Sequence, residues 1–173
     1  LQQRVEESLV TNCVFMQGAS GDMSPNRGGL NGQQYGEALG DHVVELARAI
    51  ETKAPTKPSL QAKVDHFHFT SRVDFKNLIL VALFEKAFFP ELVKNYAEEF
   101  VNGIEPEMTT VLLNGDLALV SGSGEFFCNH ANRLKQRSYV DDTLFFGYCN
   151  GHHMYFPTIE AASEGGYGGD AAV

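Results

Sequence analysis

Three times along this chain a short apolar run ends in a polar, glycine-containing loop, and that recurrence limits the possible folds more than any other feature. Cys13-Val14-Phe15-Met16 runs into residues 17–29. Leu117-Ala118-Leu119-Val120 runs into Ser121-Gly122-Ser123-Gly124-Glu125. Leu144-Phe145-Phe146-Gly147-Tyr148 delivers residues 150–158. Apolar runs this short, bounded by turn residues, read as strands. Polar loops at strand ends are where sheet scaffolds assemble binding and catalytic sites. The expected class is therefore mixed α/β (α+β), a β-sheet core flanked by helices with active-site loops at strand ends.

The remaining elements follow from periodicity. Residues 1–9 read as the end of a helix, with Val5 and Leu9 four apart. Residues 34–52 form the clearest amphipathic helix, with Tyr35, Ala38, Leu39, Val43, Leu46, Ala47 and Ile50 on one stripe. Gly36 and Gly40 inside it suit close packing against a sheet. The stretch Ala54-Pro55-Thr56-Lys57-Pro58 ends this helix and makes a short linker, which by its length does not establish a domain boundary. Residues 60–70 alternate as a strand does, which puts His66 and His68 on one face. Two such histidines can present a pair of metal ligands; the preferred reading is a solvent-facing pair on a sheet edge. Residues 75–89 are strongly apolar and read as a buried helix on which Phe84, Phe88 and Phe89 lie close, for core packing or for lipid contact. A second helix covers residues 91–101, before Asn102-Gly103. Asn114-Gly115 between two apolar runs is a hairpin signal, because its turn needs left-handed residues. A helix over residues 127–137 completes the set.

The chain has 173 residues, enough for a single domain with its own core, here a catalytic domain or the C-terminal part of one. A net charge of −9 offers no basic groove for phosphates and argues against a nucleic-acid partner. No apolar run is long enough to span a membrane. Cys13, Cys128 and Cys149 make neither a CxxC pair nor a zinc-finger spacing; Cys13 and Cys149, in apolar runs, read as small buried hydrophobes.

The loop at residues 17–29 holds Asp22, Ser24 and Asn26 in alternation, so an extended backbone would point them the same way. On composition alone it can be a turn held by Asx-type hydrogen bonds. Glu125 stands at a strand end just before a helix, where an acid also suits the helix N-terminus.

Gly21-Asp22-Met23-Ser24-Pro25-Asn26 resembles the Gly-Asp-Val-Ser-Pro-Asn signature of the neutral/alkaline, non-lysosomal ceramidases. Ser121-Gly122-Ser123-Gly124-Glu125-Phe126-Phe127, Cys149-Asn150-Gly151-His152-His153-Met154-Tyr155-Phe156-Pro157-Thr158 and the tail Glu164-Gly165-Gly166-Tyr167 resemble the same family, in the same order. The resemblance implies a zinc-dependent amide hydrolase that cleaves N-acyl sphingoid bases into sphingoid base and fatty acid. It implies Glu125 and Tyr155 as zinc ligands, with the zinc histidines supplied by a part of the family sequence preceding Leu1. It puts the Asp22–Asn26 loop beside the metal, with Ser24 and Asp22 positioning substrate or water and handling protons, and Tyr155 also able to donate to a developing oxyanion. Asn26, His152 and His153 are candidate contacts for a ceramide-like lipid; the plainer reading of the two histidines is polar loop residues. Two positions depart from the family: His152 stands where it has the first Tyr of Asn-x-Tyr-x-x-Tyr, and Ser123 precedes Gly124-Glu125. No Gly-x-Ser-x-Gly elbow surrounds Ser24, so it is not read as a nucleophile. The family also implies an extracellular or periplasmic location. Other readings are a related metal-dependent hydrolase of another N-acyl or ester substrate, and a non-catalytic fragment.

Overall fold

The computed structural model describes residues 1–87 and 89–172, without the side chain of Ala87. Phe88, grouped above with Phe84 and Phe89, lies outside the described residues. The chain is α+β, a mixed sheet flanked by helices, as its pattern of runs implies. Its contacts divide into two units, Leu1–Gln17 with Ser24–Pro58, and Gly18–Met23 with Ser59–Val173.

The first unit is a helix pair, α1 (Gln2–Leu9) and α2 (Gly32–Ala49). Asn31 caps α2 by accepting from Gln34 N, and the Gln34 side chain returns the bond to Asn31 N. This reciprocal box satisfies two amides that the first helical turn leaves unpaired. Val5 and Val44 are buried, and Arg4 Nε meets Asp41 Oδ1 at 2.6 Å. Three expectations are corrected here. Gly36 and Gly40 lie against Leu1 and Arg4 of the α1 segment, not against a sheet. The apolar stripe of α2 is largely open, with Leu46 and Ile50 about two-thirds exposed, because the eight-residue α1 covers only a patch of it. The run Cys13-Val14-Phe15-Met16 is not a buried strand: it has no ladder partner among the described residues, and Val14, Phe15 and Met16 are exposed.

The second unit holds a four-stranded sheet in the order β1 (Leu60–His66), β2 (Glu107–Leu113), β3 (Leu117–Gly122), β5 (Asp142–Phe146). The first three are antiparallel, and β3 and β5 are parallel. The hairpin turns at Asn114 and Gly115, both left-handed (φ 56° and 84°). Alternate β3 residues Ala118 and Val120 face inward against Phe145 of β5 and Ala131 of α5 (Cys128–Arg137). α5 is the crossover that parallel neighbours require.

At the sheet edge, β1 ends at His66, so His68 lies beyond it. Pro106 has no N–H to continue the ladder; its carbonyl accepts from Phe67 N, and pairing resumes only at the Phe69–Ile104 bridge. His66 and His68 are exposed, and His68 Nδ1 lies 3.2 Å from Glu105 Oε1.

A second core joins Phe75, Phe100 and Ile104 with Val73, Val81, Tyr96, Ala97 and Phe156. α3 (Leu78–Ala87) and α4 (Pro90–Phe100) lie beside it. The expectation of a buried helix over residues 75–89 is corrected. Phe75 is buried ahead of α3, whereas Leu78, Ile79 and Leu83 are mostly exposed, because residues 78–84 are apolar on every face of α3 and its main helical contact is α4. Cys13 and Cys149 are half-buried, and all three cysteines are free.

Gly103 (φ 114°), in the turn that follows α4, has no room for a side chain, since a Cβ there would lie 2.5 Å from the Phe69 carbonyl oxygen. Gly103→Ala should therefore cost at least about 1–3 kcal/mol in a denaturant titration. Gly115→Asn, at an open left-handed position, should cost no more than about 1 kcal/mol.

Candidate functional site

The site begins with two very short strands. β4 (Glu125–Phe126) and β6 (Tyr155–Phe156) pair in parallel, with Glu125 opposite Tyr155 and Phe126 opposite Phe156. Opposed residues on neighbouring strands share a face, so the carboxylate and the phenol project together. On the other face Phe126 and Phe156 stack at 4.4 Å and 9° and join the two cores. The bonds Glu125 N to Met154 O (2.8 Å) and Phe127 N to Phe156 O (3.1 Å) hold the pair.

The loop that brings Tyr155 back is costly to shape. Tyr148, Asn150 and Met154 all have φ near +60°, and Gly151 has φ 146°. Left-handed backbone at non-glycine residues persists only where surrounding structure imposes it. Asn150 Nδ2 donates to Glu107 Oε1 at 2.6 Å and to Thr109 Oγ1 at 3.2 Å. His153, buried, sets Nδ1 2.9 Å from both the carbonyl and the hydroxyl of the fully buried Ser123, whose Oγ accepts from Glu107 N. His153 is thus a brace within the loop.

His152 turns the other way. Its Nε2 lies 3.3 Å from Glu125 Oε1, its Nδ1 shares a 3.0 Å hydrogen bond with Tyr96 Oη, and its ring stacks on Tyr148 at 5.8 Å and 13°. Tyr167 packs edge-on against Tyr155 at 5.6 Å. Glu125 therefore stands among Tyr148, Tyr155 and His152, with Tyr96 and Tyr167 behind them.

Electrostatics follow from this crowding of phenols round one carboxylate. Burial pushes the Tyr155 phenol well above the ordinary tyrosine range, helped by its hydrogen bond to Glu125 and that residue's charge. Tyr148 is raised by burial and then by Glu125, against a lowering bond from Ser20. Tyr96 is raised by burial, then by Glu99 and Glu125. An apolar cavity of about 280 Å³ adjoins the cluster, sharing Tyr96 and Tyr167 and otherwise lined mainly by Val73, Phe75, Phe84, Leu92, Val93 and Met154.

The loop residues divide. Gly21 N donates to Phe126 O at 2.9 Å, and a Cβ on Gly21 would lie 2.5 Å from the Glu125 carbonyl oxygen, so the chain passes close along β4 only because a glycine stands there. Asp22 Oδ1 accepts from Cys128 N at 2.7 Å and its Oδ2 from Cys128 Sγ at 3.1 Å. The acid at the α5 N-terminus is therefore Asp22 and not Glu125, which lies on β4. Ser24 and Asn26 belong to the first unit and are exposed, and Asn26 Oδ1 accepts from Gly28 N in the Asx-type turn that the composition suggests.

On one face the half-buried Glu125 offers a carboxylate oxygen, which zinc takes readily, with the half-buried Tyr155 phenol oxygen beside it. Among the described residues no three His, Cys, Asp or Glu side chains gather to hold a metal. Tyr96 and Tyr148 were not singled out in the sequence. Nothing local marks Tyr96, whereas Tyr148 ends an apolar run and Tyr167 lies in the family-like tail.

Phenols raised in this way stay protonated in the folded chain at pH values where unfolded tyrosines, near pH 10, have ionised. Their contribution to stability is complete below about pH 10 and is lost as pH rises through the folded values. A spectrophotometric titration should find a late-ionising group of tyrosines in the native chain. Glu125→Gln should bring part of that group down towards ordinary values; unchanged late ionisation would mean Glu125 does not face them.

No protein-family model, curated protein or solved structure matches the chain.

Proposed function

We propose that this chain carries part of the active site of a ceramidase-like, zinc-dependent amide hydrolase, cleaving an N-acyl sphingoid base into free base and fatty acid. One observation carries the reading. Glu125 and Tyr155, the two zinc ligands implied by separate family-like stretches, are register partners on adjacent strands despite lying far apart in sequence. The apolar cavity beside them supports a substrate with an alkyl chain: each buried methylene contributes about 0.8 kcal/mol to binding, and the volume of about 280 Å³ approaches that of small-molecule pockets.

Glu125 and Tyr155 would hold the metal. Zinc bound there supplies polarisation of an amide carbonyl and an activated water. The chain's own groups supply the rest of the environment. Tyr148, kept protonated near neutral pH, offers an O–H donor beside Glu125 for charge developing on the substrate oxygen. The Phe126–Phe156 stack and the braced loop fix both strand ends, so these donors need little reorganisation when charge develops.

A related hydrolase of another N-acyl or ester substrate is favoured by His152, which puts an imidazole against Glu125 where the family has a phenol.

In the intact protein, elemental analysis should find about one zinc per chain, as a single tetrahedral site requires. Glu125→Ala should remove most of that zinc and the hydrolysis of a fluorescent ceramide, and Tyr155→Phe should reduce both. Zinc indifferent to both substitutions, or hydrolysis that survives both, would sink this assignment.

A further inference from the structure

We propose that His152 is a third zinc donor of this site, through Nε2, so that the described chain holds three ligands of its own: Glu125, Tyr155 and His152. This rests on the zinc-hydrolase reading above and changes its ligand set: a tetrahedral zinc on Glu125, Tyr155 and His152 keeps its fourth position for water, so His152 stands in for the histidines that the resemblance places before Leu1.

The distance is the first argument. His152 Nε2 and Glu125 Oε1 stand 3.3 Å apart. Two donors each about 2.0–2.1 Å from one tetrahedral zinc stand about 3.3 Å apart. The atoms are therefore already spaced to share an ion.

The second argument is the other ring nitrogen. Histidines that bind metals hold their second nitrogen in a hydrogen bond that fixes tautomer and ring plane. Here Tyr96 Oη lies 3.0 Å from Nδ1. With zinc in place of the proton between Nε2 and Glu125, Nδ1–H would donate to the Tyr96 oxygen and Nε2 would give its lone pair to the ion. Stacking on Tyr148 holds the ring in plane. His152 and His153 are neighbours with opposite tasks: His153 is committed to Ser123, which leaves His152 as the imidazole at the carboxylate. Its side chain is 38% exposed and that of Glu125 is 17% exposed, so an ion can reach both. An imidazole is also a readier zinc ligand near neutral pH than the phenol it replaces.

The test is zinc titration of the full chain by calorimetry, with Co²⁺ as a second probe whose visible absorption reports nitrogen ligation. About one equivalent of zinc should bind per chain. Loss of an orienting partner costs about 10–100-fold in metal affinity. Tyr96→Phe should fall in that range, and His152→Ala and His152→Gln should weaken binding beyond it and change the Co²⁺ spectrum. His66→Ala, on the open sheet edge, should change neither, and unchanged circular dichroism would show that the variants fold. Zinc affinity lost in Glu125→Ala yet unaltered in both His152 variants would overturn the third-donor proposal while leaving the hydrolase reading standing. No zinc uptake by the chain would also overturn the proposal, whereas the hydrolase reading fails only on the zinc content and activity of the intact protein.

Discussion

The parallel pairing of β4 with β6 is the contact on which the second unit turns. Each strand has only two residues, too few to be stable alone. Their pairing does two jobs because side chains alternate. One face stacks Phe126 on Phe156 and ties the sheet core to the Phe75–Phe100–Ile104 core. The other sets Glu125 beside Tyr155. Packing and chemistry are thus fixed by one register, and a slip of one residue would exchange the two faces.

Much around that pairing serves to hold it. The loop from Tyr148 to Met154 takes up left-handed backbone repeatedly, offset by Asn150 on Glu107 and by His153 on Ser123. Gly21 lets a second segment lie against β4, and Asp22 on Cys128 fixes that segment to the start of α5. The polar groups left over converge on Glu125. Their common effect is to keep phenols protonated round one carboxylate, an arrangement that a bound cation would relieve by taking up the negative charge.

Elements built from near neighbours were legible in the sequence. The Asn114-Gly115 hairpin follows from two left-handed residues between apolar runs, and α2, α4 and α5 fall close to where periodicity puts them. The start of α2 could have been read two residues earlier from the capping pair Asn31 and Gln34. What was illegible depends on what covers an element. Periodicity cannot tell whether a partner exists, so the apolar faces of α2 and α3 and the Val14–Phe15–Met16 run were expected inside and lie exposed. β4 and β6 are too short to show a period. Glu125 and Tyr155 were named through family-like motifs, whereas their pairing, the turn of His152 towards Glu125 and the part played by Tyr96 arise from a loop geometry that only the fold displays.

The most direct test is a double-mutant cycle on stability with Glu125→Gln and Tyr155→Phe, measured by denaturant titration of the metal-free chain. Residues in contact should couple by about 0.5 kcal/mol or more. Two costs that add to within about 0.3 kcal/mol would place the side chains apart and contradict the shared site.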